Sequence, residues 1–312
     1  MPAVLQRRNF LQLGLAASAA ALLPSSAAQN AMSAPPPATP AAASPIKTTR
    51  LSENLWLLQG AGGNMALQSG PEGNILIDSS YADAVPAIRA TVAALSHDAP
   101  DALINTHWHP DHTGGNEGLH QSGFTIVAHQ KTRERLAEPH EMKAFHRSIP
   151  AQPAAALPTV TFDHALRLYH NGDEIALQYF EPAHTDTDIS IHFRLADVLH
   201  VGDIWFNGMY PFIDEGTGGS IGGMIRAVDK ALALAGGNTK IIPGHGPLGD
   251  KPALEKYRSM LEAIRSNVAA LKTAGQSEAE AIAKKPTAAF DGAWGKGMMS
   301  PDAFTGIVYR TL

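Results

Sequence analysis

Six consecutive positions, His107-Trp108-His109-Pro110-Asp111-His112, carry three histidines and a carboxylate in a chain of 312 residues that is only 17% charged. Imidazole nitrogen and carboxylate oxygen are ligands for divalent metal ions, and histidine and aspartate also move protons near neutral pH. His107 and His109 are two residues apart, so at the end of an extended strand their side chains point the same way. Pro110 then turns the chain, so that Asp111 and His112 can swing back toward them. Four ligands can converge from one short loop. Three more candidates stand downstream: His184 in EPAHTDTD, Asp203 in HVGDIWF and His245 in IIPGHGP. There is no cysteine, which removes disulfides, thiolate metal sites and cysteine nucleophiles together.

Such a set needs a rigid frame. Short β-rich runs, LWLLQG, NMALQSG and GNILIDSS, are separated by glycine, and LRLYHNGDEIALQYF places two apolar runs around Asn171-Gly172, a hairpin signal. DISIHFRLADVLHVGD reads as a further pair of strands. Residues 82–95, 130–137 and 223–235 show apolar residues at helical spacing, and residues 251–275 form a long amphipathic helix ended by glycine. His184, Asp203 and His245 each follow an expected strand, so loops can bring them to one sheet edge. Strands and helices alternating in this order imply a layered α/β fold.

The pattern H-x-H-x-D-H, a later histidine, an aspartate after a strand and glycine, and a histidine in P-G-H-G resembles the metallo-β-lactamase superfamily, in matching order from about residue 51 to 248. The resemblance implies a four-layer αββα sandwich with a C-terminal helical appendage. It also implies two zinc ions per chain, one on His107, His109 and His184, the other on Asp111, His112 and His245, with Asp203 bridging them. Two zinc ions about 3.5–4 Å apart can share a hydroxide that attacks a carbonyl while the metals stabilise the oxyanion and the leaving atom. Asp111 then doubles as the catalytic proton carrier. Asp78 in ILIDSS matches the family's early strand-end aspartate and is expected to hold a ligand histidine by hydrogen bond. Relatives using two irons carry glutamate where His109 stands, so zinc hydrolysis is the expected chemistry.

Export and the look of the family put a β-lactamase first. The bridging Asp203 pulls the other way, because β-lactamases usually have cysteine or serine there, whereas lactonases and thioesterases have aspartate. The segment after it, IWFNGMYPF, has no lysine to clamp a substrate carboxylate, leaving Asn207, Tyr210 or Arg226 as expected substrate contacts. A lactonase or esterase is therefore the second reading, a thioesterase the third, and a periplasmic metal-binding accessory protein the non-enzyme alternative.

The remaining features bound the setting. Residues 1–28, with Arg7-Arg8 before an apolar alanine-rich run, resemble a twin-arginine signal peptide, so a periplasmic protein without a membrane anchor after cleavage is expected. Residues 29–46, rich in Ala, Pro and Ser, read as a tether. The catalytic domain is expected over 47–250 and the helical appendage over 251–312. A formal net charge of −5 with no long basic run argues against nucleic acid and for a small-molecule substrate.

Overall fold

The computed structural model describes residues 45–96, 100–142, 145 and 147–312. The expected signal peptide and the tether up to residue 44 lie outside them. In chain order the first half comprises β1 (Lys47–Arg50), β2 (Leu55–Gln59), β3 (Met65–Gly70), β4 (Gly73–Ile77), α1 (Val85–Leu95), β5 (Pro100–Ile104), α2 (Pro110–Thr113), α3 (Asn116–His120), β6 (Thr125–His129), α4 (Gln130–Ala137), β7 (His140–Met142) and β8 (Arg147–Ile149). The second half comprises β9 (Val160–Phe162), β10 (Ala165–His170), β11 (Asp173–Tyr179), β12 (Ile189–Phe193), β13 (Val198–His200), α5 (Ile221–Leu234), β14 (Lys240–Ile242), α6 (Lys251–Thr273), α7 (Glu278–Ala283), α8 (Asp291–Trp294) and α9 (Pro301–Arg310).

Two sheets form the centre. The first runs β1-β2-β3-β4-β5-β6-β9, antiparallel up to β4 and parallel from β4 onward. The second runs β10-β11-β12-β13-β14, with only β13 and β14 parallel. Alternate residues of each strand feed different cores, as the two-residue period requires. Leu55, Leu57, Ala66, Ile75 and Ile77 meet Ile175, Leu177, Ile189, Ile191 and Phe193 between the sheets. Leu58, Met65, Leu67 and Leu76 face outward, where Ile88 and Val92 of α1 and Leu119 of α3 cover them. On the far side Leu199 and Ile241 pack under α5, α6 and α9. The layers are thus helix, sheet, sheet, helix.

Local signals explain the elements. Asn171 and Gly172 both take positive φ, 51° and 75°, and join β10 to β11 in the register His170 opposite Asp173. Ser220 caps α5 through Gly223 N–H, and Asp250 caps α6 through Ala253 N–H. The helix expected over 82–95 begins as a short 3-10 turn at Ala82–Ala84 before α1.

The C-terminal helices are appended in sequence but not in space. Tyr257, Met260, Leu261 and Ile264 of α6 and Phe304, Ile307 and Val308 of α9 share one buried cluster with Met224 and Val228 of α5, and residues 42–312 form one compact unit. The C-terminal helical segment packs on the main domain, where α6 and α9 join α5 in the layer against the second sheet. Among the described residues no helix is long and apolar enough to cross a membrane.

Candidate metal centre

The loops at one edge of the sandwich carry all seven expected ligands. His107, His109, Asp111 and His112 follow β5, His184 follows β11, Asp203 follows β13 and His245 follows β14. Parallel neighbours β4/β5 and β13/β14 end on the same side, which is why loops distant in sequence meet there. The potential ligand atoms form two groups, His107, His109, His184 and Asp203, and Asp111, His112 and His245, each with atoms within 4.8 Å of one another. Asp203 joins the two groups. Its oxygens lie 3.8 Å from His107 Nε2, 3.3 Å from His184 Nε2, 3.2 Å from His112 Nε2 and 3.5 Å from His245 Nε2.

Four of the histidines are oriented by their other ring nitrogen. His112 Nδ1 donates to Asp78 Oδ2 at 2.7 Å, His184 Nδ1 to the Phe212 carbonyl at 2.8 Å, and His109 Nε2 to Asp214 Oδ2 at 3.2 Å. His107 Nδ1 lies 3.1 Å from Thr106 Oγ1, which donates onward to Asp78. Asp78 itself sits at φ 61° at the end of β4 and also accepts Thr106 N–H at 2.7 Å. It thereby ties His107 and His112 to one carboxylate. Asp214 and the Phe212 carbonyl carry no spacing signal in the sequence, and only the fold brings them to the histidines.

A further buried frame holds the loops. Asn105 and Asn116 exchange amide hydrogen bonds of 3.0 and 2.9 Å beside the His112 carbonyl, and Ser79 Oγ donates to Asn116 at 2.8 Å. Asn64 Nδ2 donates to the Pro243 and Gly246 carbonyls, both at 2.9 Å, fixing the turn that presents His245. Asp188 accepts the backbone N–H groups of His184 and Thr185 and the Thr185 hydroxyl, which shapes the turn under His184. Gly63 lies against the His112 ring and Gly244 against Asp203, positions where a Cβ would collide with the ligand.

This arrangement suits cations. His107 Nε2, His112 Nε2 and Asp203 Oδ1 are buried, point inward and make no hydrogen bond, a costly state that a metal ion relieves. Burial pushes the Asp203 carboxyl up, but His245, His112, His107 and His184 together outweigh it and hold it well below the usual range. Asp111 behaves alike: burial opposes, yet His112 and His245 bring it down to about 2. Burial also lowers His107 well below its ordinary value and His184 to about 4, so both are neutral as ligation demands. His112 and His245 run the other way. Burial lowers them, but Asp203 and Asp111 dominate, raising His112 well above its ordinary value and His245 to about 9.

Above the cluster opens a cleft of about 450 Å³, with His109, Asp111, Asp203 and His245 among its lining residues. Its walls are largely apolar, from Tyr81, Met142, Phe145, Phe206, Phe212 and Met298, and among the described residues Arg147 is the only lysine or arginine that lines it. None of the expected substrate contacts lines it. Asn207 Nδ2 donates to the Pro247 carbonyl at 2.8 Å. Tyr210 is fully buried, stacked on Phe304 and bonded to Asp291 Oδ1 at 2.8 Å. Arg226 is exposed on α5 outside the cleft. The 3-10 turn Gly202–Ile204 contains Asp203 and redirects the chain, and of the aromatic residues that follow, Phe206, stacked on His245 at 5.2 Å, and Phe212 reach the cleft while Trp205 and Tyr210 do not.

The sequence model for the Metallo-beta-lactamase superfamily matches residues 58–266, a span containing all seven clustered residues. The chain belongs to this superfamily. It is 31% identical over 147 residues to the hydroxyacylglutathione hydrolase of Nitrosococcus oceani, covering 46% of this chain and 47% of that relative. The chain thus spans about half the length of the curated relatives it matches. Among solved structures, a metallo-beta-lactamase from Pontibacter korlensis superposes with a TM-score of 0.59 at 18% identity, over 70% of this chain and 99% of that one. The sec-alkylsulfatase Pisa1 of a Pseudomonas species gives 0.65 at 16% identity, over 85% and 50%. These likenesses establish the fold. Together with the clustered ligands, membership makes the chain a hydrolase-type protein with a site suited to two metal ions.

Proposed function

We propose that this protein is a dizinc hydrolase that cleaves a small ester or thioester, with His107, His109 and His184 at one metal, Asp111, His112 and His245 at the other, and Asp203 between them. The position of Asp203, within 3.8 Å of histidines from both groups, carries this reading. A bridging carboxylate is the feature by which the sequence resembles lactonases and thioesterases rather than β-lactamases. The relatives named hydroxyacylglutathione hydrolase support the same direction. Two zinc ions, when bound, supply a Lewis acid for the carbonyl and lower the pKa of water.

The chain's own residues do the rest. Asp111 is partly exposed to the cleft and lies 3.1 Å from His245, so one carboxylate oxygen can stay with the metal site while the other takes a proton and passes it to the leaving group. Tyr81 keeps its phenolic proton, because burial and then the Asp111 charge raise its pKa, and it offers a hydrogen-bond donor on the cleft wall. Phe206 and Phe212 shield the centre from water on one side. Residues 1–28 extend the proposal to export, with Arg7-Arg8 as the signal.

The test compares kcat/KM of the zinc-loaded chain on a small acyl thioester, an acyl-homoserine lactone and a chromogenic cephalosporin. The proposal expects ester or thioester turnover above about 10⁴ M⁻¹s⁻¹, with the cephalosporin far slower. A cephalosporin rate in that range with slow esters would make the chain a β-lactamase despite Asp203.

A further inference from the structure

We infer that Arg147 is the anchor for an anionic group on the substrate, and that the substrate is an amphipathic anion whose apolar body lies along Phe145, Phe212 and Met298. The inference rests on the reading of the cleft as a hydrolase site and adds the class of molecule it accepts.

Arg147 opens β8, in the short hairpin with β7 that stands over the cleft beside no other sheet. Its backbone pairs with Met142, itself a cleft residue, so the hairpin presents both side chains to one space. Among the described residues the guanidinium has no ion pair or hydrogen bond, and it is the only lysine or arginine of the described lining of a largely apolar cleft. Glu141, the carboxylate on the facing strand, is occupied by the Ser148 hydroxyl. Asp111, the carboxylate across the cleft, is engaged by His245 and belongs to the metal site. Tyr81 lines the same cleft. A planar guanidinium is suited to a carboxylate, sulfonate or phosphate head.

The apolar half is equally explicit. Phe145 and Met298 are 38% and 50% exposed, large side chains left open at the cleft mouth, and Phe145 sits edge-on to Phe212 at 4.8 Å. An alkyl or aryl body laid there covers them, while its acyl bond reaches Asp111 and Asp203 at the floor.

The experiment is calorimetric titration of the zinc-loaded full chain with 5-phenylpentanoate and with the neutral 5-phenylpentanamide, using wild type, Arg147→Met and Arg147→Lys. The carboxylate is expected to bind about tenfold more tightly than the amide, Arg147→Met to erase that ratio and Arg147→Lys to restore part of it. Phe145→Ala should weaken both ligands alike. Equal binding of the two by wild type overturns the inference, as does a preference that survives Arg147→Met, which would place the carboxylate on the metals instead. Thioester hydrolysis is assayed on the same samples. Turnover without anion preference removes the anchor and leaves the hydrolase; anion preference without turnover removes the hydrolase and leaves the anchor.

Discussion

Each histidine has two ring nitrogens, and here the protein spends one on a neighbour to aim the other. His109 shows the consequence most clearly, because Asp214, at 3.2 Å from Nε2, is its only orienting carboxylate among the described residues. Asp214→Ala should leave the fold intact and lower affinity for the metal at His107, His109 and His184 by about 10- to 100-fold, read by competition with a chromogenic chelator. Unchanged affinity would show that the ring is held by packing alone. Proton linkage is a second residue-scale outcome. The pKa of His245 in the metal-free site is raised to about 9, so its charged pairing with Asp203 and Asp111 is fully present below about 6.5 and is lost as pH rises through about 9. Zinc must displace that proton. Binding at pH 7 should therefore release protons and tighten as pH rises toward 9, measured by titration in two buffers of different ionisation enthalpy. The seven clustered residues were legible from spacing because ligand types are rare and their order is fixed. Asp214 and Arg147 were not, since nothing in sequence distance links them to the centre.

At the level of elements, the strands deliver the ligands and buried amides lock the delivery. Asn105 and Asn116 pair reciprocally under the loop that follows β5, so Asn116→Ala strands Asn105 Oδ1 in the interior and leaves the Ser79 hydroxyl and Asn105 Nδ2 only the His112 carbonyl. Thermal unfolding should show a loss of about 1–3 kcal/mol, which is a fall of several degrees for a domain of this size. A change within error would mean that water replaces the amide. Turn chemistry made much of this level readable: the Asn171-Gly172 hairpin and the Asp250 cap stand where residue type demands them. The β7/β8 hairpin was not readable, because each strand has only three residues and no alternation precedes it. The expected substrate contacts Asn207, Tyr210 and Arg226 fall outside the cleft, whose wall takes Met142 and Arg147 from that hairpin and Phe206 and Phe212 from the segment after Asp203.

For the whole molecule, the question is what makes the sandwich one cooperative body. α6 and α9 share the buried cluster that covers the second sheet, so the C-terminal segment is expected to contribute to folding. Leu261→Ala, in a fully buried position, should cost about 2–5 kcal/mol by denaturant unfolding, and deletion of residues 251–312 should leave a chain that aggregates. A deletion that stays folded and monomeric would show that the sheet does not need this cover. Sequence periodicity revealed these helices but not where they dock, since an amphipathic face announces burial without naming its partner. The central claim is that one edge of this body holds two metal ions joined by Asp203. Anomalous diffraction at the zinc edge, from crystals of the full chain loaded with zinc, tests it most directly. Two peaks about 3.5–4 Å apart, with Asp203 between them and three further ligands on each side, are expected. A single peak, or a pair that leaves Asp203 or His245 unengaged, would contradict it.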